Sequence, residues 1–268
     1  MHITITGNLG SGKSTICKIL EDKHGFEIYS TGKVQRELAR EMNMTTLEMN
    51  KLMCSDRKYD NMIDDATARL SRENKHKNII FDSRLAWNFV EESFKVFLSV
   101  SLNVAAERVM NDNRGKEEQY SSVTEARELL AARAATENQR YKDMYDLEYF
   151  NFANYDLVID STYCSPEIAA SIIMEESKKQ EKLKQETGKY SEGTRILMSP
   201  RRLYSGTVTN EEKSELSGKV EEFKKINYYL DNPVSVKRDG DNYMVIDGLN
   251  DIKAALLADV CFVPVVIK

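Results

Sequence analysis

The sequence predicts an α/β protein, a parallel sheet with helices on both faces, followed by a small α+β unit. Three observations lead there. Short apolar runs alternate with helical patterns through the first 160 residues, which is how βαβ units read. A glycine-rich turn lies directly between the first run and the first helical stretch. The composition then changes abruptly after Met174, and a second set of short elements follows. With 268 residues, 41% hydrophobic and 30% charged, the chain can bury a substantial core.

The elements follow in order. Residues 2–6 form the first expected strand, and residues 26–29, 78–82, 95–101 and 156–160 give four more. The helix after the first strand carries Ile16, Ile19 and Leu20, and a long helix begins near Ser122. Ser165 can cap the helix after the fifth strand; Pro166 takes its first position, and Ile168, Ala169, Ile172 and Ile173 repeat at helical spacing. Residues 175–193 are almost wholly polar and read as a solvated helix end plus a linker. Residues 194–198 are strand-like, and Thr209 opens a helix with Glu212 completing a capping box. Leu216, Val220, Phe223 and Ile226 give it an apolar face. Strands at 234–236 and 243–246, a short helix to Ala258 and a strand at 261–267 complete the chain. The expected division is 1–175, a charged linker 176–193, and a unit 194–268.

The chain holds 38 basic and 43 acidic residues, a formal charge of −5. The last 75 residues balance at 11 and 11, so the acid excess lies in the first part. This argues against a nucleic-acid-coating protein. No apolar run approaches the ~18 residues of a membrane span, and the N-terminus has no signal-peptide pattern. Cys17, Cys54, Cys164 and Cys261 are scattered, and His2, His24 and His76 share no ligand spacing. A soluble, reduced, cytoplasmic protein without membrane attachment is expected.

Gly7-Asn8-Leu9-Gly10-Ser11-Gly12-Lys13-Ser14 fits GxxxxGK[ST] completely, after a strand and at the start of a helix. Glycines let successive backbone N–H groups turn into one concavity, and the helix start adds partial positive charge. Gly7, Gly10, Ser11, Gly12, Lys13, Ser14 and Thr15 are therefore the expected phosphate-binding residues. Lys13 can reach the β- and γ-phosphates, and Ser14 can ligate Mg²⁺. Asp82, ending the third strand, sits where an acid can hold Mg²⁺ directly or through water, or else cap the turn before Ser83. Phosphoryl transfer also needs positive charge around the moving group. Arg133 and Arg140 lie seven apart on one helix and share a face.

The order of motifs over the first 175 residues resembles the cytidylate kinase-like group of P-loop nucleoside monophosphate kinases. After the P-loop come Ser30-Thr31-Gly32, then Arg36-Glu37-Leu38-Ala39, then Asp60-Asn61-Met62-Ile63-Asp64. Asp82-Ser83-Arg84-Leu85-Ala86-Trp87 follows, then Arg133, Glu137 and Arg140-Tyr141-Lys142, and finally the stretch 155–162. The resemblance implies that Ser30, Arg36, Asp82 and Arg84 lie near the acceptor nucleotide, with the arginines on its phosphate. It implies that Arg133 and Arg140 close from a lid, and that ATP and Mg²⁺ occupy the P-loop. Lys33 and Ser83 replace the group's aspartate and glycine, which leaves the acceptor open to CMP or a related small phosphate acceptor. Trp87 can stack a base or pack against the sheet, while Met42, Met44, Met49, Met53 and Met62 read as core filling.

Residues 194–268 are similar to the small nucleotide-binding domain of ParB-like and sulfiredoxin-like proteins, through 196–200, 233–236, 243–248, 254–256 and 263–267. Leu249, Asn250 and Asp251 stand where that domain carries a phosphate-holding histidine/arginine pair, and a carboxylate there repels phosphate. An appendage, a homo-oligomerising surface or a regulatory module is the expected role. The sequence thus points to an ATP- and Mg²⁺-dependent kinase whose catalytic residues are Lys13, Arg84, Arg133 and Arg140. The alternative is a nucleotide-binding regulatory protein whose P-loop acts as a switch and whose C-terminal unit engages a partner.

Overall fold

A computed structural model of the chain describes residues 1–44, 48–49, 52–53, 57–111, 120–188 and 193–268, without the side chains at 33, 36–38 and 57. β1 (His2–Gly7) leads through the glycine-rich turn into α1 (Lys13–His24), and β2 (Glu27–Ser30) into α2 (Thr31–Glu41). α3 (Arg57–Glu73) precedes β3 (Ile79–Asp82), whose exit forms the short α4 (Ala86–Phe89). β4 (Phe94–Ser99), α5 (Leu102–Asn111), α6 (Val123–Tyr145), β5 (Leu157–Asp160) and α7 (Pro166–Thr187) follow. Ser122 caps α6 by accepting from the Glu125 N–H, and Ser165 caps α7 with Pro166 in the first turn, as the sequence predicts.

Strands β1–β5 pair in parallel in the order β2-β3-β1-β4-β5. Period-two alternation assigns the faces. Ile3, Ile5, Val96, Leu98, Leu157 and Ile159 point to one side, where Ile16 and Leu20 of α1 and Ala169, Ile172 and Ile173 of α7 pack. Phe97 and Val158 point to the other, against Leu85, Trp87, Tyr149 and Tyr155. The P-loop therefore emerges at the carboxyl end of the central strand.

The remaining strands continue the same sheet. β6 (Arg195–Met198) pairs in parallel with β5, and β9 (Val263–Ile267) runs antiparallel beside β6. β7 (Val234–Asp239) and β8 (Asn242–Asp247) complete the order to β6-β9-β7-β8. α8 (Pro200–Leu203), α9 (Asn210–Glu215), α10 (Ser217–Phe223) and α11 (Leu249–Leu257) cover this part. The Thr209–Glu212 capping box is present, and the helix it opens breaks at Leu216 into α9 and α10. Leu216, Val220, Phe223, Val236, Ile252 and Val265 share a second core.

The stretch expected to be a linker is helical to Thr187. Glu176 and Ser177 are buried, the Glu176 carboxylate accepts from the Tyr229 hydroxyl, and Lys184 reaches Glu92 at 2.8 Å. Among the described residues no helix is long and apolar enough to cross a membrane.

Candidate functional site

A cleft of about 1300 Å³ opens at the carboxyl ends of the parallel strands. The P-loop forms its floor, helices α2 and α3 one wall, and the inner face of α6 another. Two glycines fix the loop. A Cβ on Gly7 would lie 2.2 Å from the Leu98 carbonyl oxygen, so β1 could not leave the sheet beside β4 with any side chain there. Gly12 has φ +84° with no atom within 4 Å of a notional Cβ, so its left-handed turn faces open space in the cradle. The first N–H groups of α1 have no partner within the helix, and no side chain caps Gly12.

Cations converge on this floor. Lys13 Nζ donates to the Gly7 and Asn8 carbonyls, each at 3.0 Å. Burial and the neighbouring Arg84 charge pull its ammonium down to about 7, against the opposing pull of Asp82. Arg84, just past β3, donates to the Gly7 carbonyl at 2.7 Å and to Glu137 at 3.0 Å. Burial works against its charge, and the Glu137 carboxylate more than restores it. Arg133 reaches the other Glu137 oxygen at 3.0 Å. Burial pushes the Glu137 carboxyl up, but the two arginines outweigh this and hold it below the usual range.

The wall formed by α2 and α3 is carboxylate-rich. Arg140 donates to Asp60, and the Tyr145 hydroxyl donates to Asp64 at 2.6 Å. Burial lifts the Asp60 carboxyl despite Arg140, and it lifts Asp64 to about 6 despite the Tyr145 hydrogen bond. Ser30 donates to Asp82 at 3.4 Å, so these two predicted residues meet at the ends of β2 and β3. Arg36 lies on α2, and its side chain is outside the described residues.

Lys13, Arg84, Arg133 and Arg140 all line one cleft with the P-loop. A polyanion fits this donor set, because an anion beside Lys13 favours its charged form against burial and the Arg84 charge. Ser14 and Asp82 offer the oxygens suited to Mg²⁺. No group of three or more His, Cys, Asp or Glu side chains forms a cage among the described residues. One or two protein oxygens with phosphates completing the shell is the usual arrangement for this ion.

A sequence profile described as the cytidylate kinase-like family matches residues 2–163. The chain belongs to this family. It is similar to a cytidylate kinase of Methanocella arvoryzae, 35% identical over 173 residues covering 65% of this chain and 94% of the relative. It is similar to a cytidylate kinase of Methanobrevibacter smithii, 32% identical over 174 residues, 65% and 96%. It also matches an S-adenosylmethionine-dependent nucleotide dehydratase of Lacinutrix mariniflava, 33% identical over 178 residues, but there only 36% of the relative is covered.

Within this cytidylate kinase-like frame, the tryptophan beside Arg84 has a structural place. Trp87 is buried against Tyr155, and its indole N–H donates to the Arg84 carbonyl at 3.1 Å. Sequence reasoning missed the work of Glu137, although its place midway between two arginines on one helix was a signal. Arg108, one of the arginines the sequence offers as a candidate around phosphate, instead donates to the Gly10 carbonyl at 3.2 Å and the Ser161 carbonyl at 2.8 Å. Ser161 in turn donates to the Ser11 carbonyl at 2.9 Å. A serine and an arginine that act on backbone leave no spacing signature.

Proposed function

We propose that the protein transfers a phosphoryl group from ATP to a nucleoside monophosphate, CMP or a close relative. The observation that carries this reading is the convergence of Lys13, Arg84, Arg133 and Arg140, from three separate elements, on the cleft above the Gly7–Ser14 loop. The family membership and the cytidylate kinases among the relatives point the same way.

In this reading the loop N–H groups and Lys13 hold the β- and γ-phosphates of ATP. Bound Mg²⁺ would neutralise phosphate charge, held by Ser14 and by Asp82 directly or through water. Arg84, with Arg36, takes the acceptor phosphate, while Arg133 and Arg140 come in from α6 onto the transferred group. For this, Arg84 and Arg133 must exchange Glu137, and Arg140 must exchange Asp60, for phosphate oxygens. The acceptor phosphate is already a nucleophile, so no general base is required. Positioning, charge and exclusion of water supply the rate. Residues 194–268 are read as a ParB/sulfiredoxin-like unit without its phosphate site, since Asp251 at the start of α11 is paired with Lys219 at 2.6 Å.

A coupled assay over CMP, UMP, AMP, GMP and their deoxy forms with Mg²⁺-ATP tests the proposal. Turnover with at least one, CMP foremost, is expected. Tight ATP binding with no transfer to any of them would refute it and favour the regulatory switch.

A further inference from the structure

The C-terminal unit contacts the elements that hold the P-loop through two residues that lie outside the kinase motifs, Asp241 and Arg202. At the tip of the β7–β8 hairpin, Asp241 Oδ2 accepts the Leu102 N–H at 2.9 Å. That N–H opens α5 and has no partner inside the helix, and a carboxylate there also meets the positive end of the helix dipole. Two turns on, the same helix presents Arg108 to the Gly10 and Ser161 carbonyls.

A second contact runs beside the first. Arg202, its side chain only 9% exposed, places Nε 3.5 Å from Asp160 Oδ2 at the end of β5. Its terminal nitrogens reach the Asp241 carbonyl and Asn242 Oδ1, and its guanidinium lies over the Tyr243 ring at 5.6 Å. Asp160 is 2% exposed and accepts the Thr162 N–H at 3.0 Å. Without Arg202 this buried carboxylate would keep only Arg108 as a nearby cation. Next to it, the Ser161 hydroxyl lies within hydrogen-bond reach of both the Ser11 and Ser99 carbonyls and shares its one proton between them.

We propose that Asp241 and Arg202 are positioning residues for ATP: the C-terminal unit clamps the start of α5 and the end of β5, and through Arg108 and Ser161 it sets the Gly10–Ser11 backbone. The proposal rests on reading the Gly7–Ser14 loop as the ATP cradle. The matches cover 94% and 96% of the two cytidylate kinases but only 65% of this chain, so those relatives are too short to carry a counterpart of this unit. The clamp is thus an addition of the longer chain.

The test uses the full-length protein with Asp241→Ala, Asp241→Asn, Arg202→Met and Arg202→Lys. ATP affinity is read by calorimetry, KM and kcat by the coupled assay, and exchange of the 102–111 amides by mass spectrometry. Loss of the Asp241 cap should raise the Kd and KM for ATP about fivefold, with faster exchange in α5 and little change in kcat or acceptor KM. Asparagine at 241 keeps an acceptor oxygen and should recover most of the loss. Arg202→Met should exceed Arg202→Lys. Should Arg202→Met fail to fold, Asp241→Ala, at a half-exposed position, decides the matter alone. Overturning results are a folded Asp241→Ala protein with wild-type ATP affinity, or one in which kcat falls while ATP binding is unmoved. If the wild type binds ATP yet phosphorylates no monophosphate, the kinase reading fails, and the ATP titrations still decide the clamp.

Discussion

Glu137→Gln isolates the electrostatic knot at the centre of the cleft. The wild-type carboxylate meets Arg84 and Arg133 at 3.0 Å each, and the Arg84 and Glu137 side chains are about four-fifths buried (19% and 21% exposed). Removing one partner of a fully buried pair costs about 3–5 kcal/mol. Here Arg84 keeps its bond to the Gly7 carbonyl, glutamine keeps one acceptor oxygen, and Arg133 is nearer solvent, so about 2 kcal/mol is the appropriate scale. For a chain of this length that lowers Tm by about 5 °C. The pH dependence sharpens the test. Because the folded carboxyl is held below its ordinary value of 4.5, its contribution is complete above that value and is lost as pH falls through the folded value. Calorimetric melts should show the full gap at pH 7, and the two proteins should converge in acid. Equal Tm at pH 7, or a gap that persists unchanged below pH 4, would refute this account.

Four further outcomes are expected. Lys13→Ala should reduce turnover at least about 100-fold; in the wild type at pH 8, where an ammonium held near 7 is mostly neutral, ATP binding should take up most of one proton, measurable by calorimetry in buffers of different ionisation enthalpy. Gly7→Ala should yield little soluble protein, because the new methyl would meet the backbone of β4, and a soluble variant with wild-type Tm would contradict the close approach of β1 and β4. Asp251→Ala removes one end of a half-exposed ion pair with Lys219, so stability should move by less than about 1 kcal/mol and kinase turnover not at all; loss of activity would give the start of α11 a role it is denied above.

The parallel core was legible because each strand is a short apolar run and the P-loop motif can sit only after one of them. The arginines were legible through their order in the family pattern. Two features escaped for physical reasons. Residues 176–187 are polar by composition, yet the buried Glu176 carboxylate is held by the Tyr229 hydroxyl and the half-exposed Arg195, and contacts assembled from distant segments have no local signature. The pairing of β6 with β5 was equally invisible, since a four-residue strand does not announce its neighbour. At the site, the sequence marked which groups carry charge but not which carboxylates they rest on.

The join between β5 and β6 has a consequence for the chain's solubility. A parallel sheet that stopped at β5 would end on Leu157–Asp160, an apolar strand with one row of peptide groups unpaired and open to another copy. β6 occupies that row, and the strands beyond it move the free border out to β8, where Asn242 and Asp247 flank the strand. Cutting this chain after α7 would therefore bare an apolar sheet border, and such a fragment should self-associate more readily than the full chain.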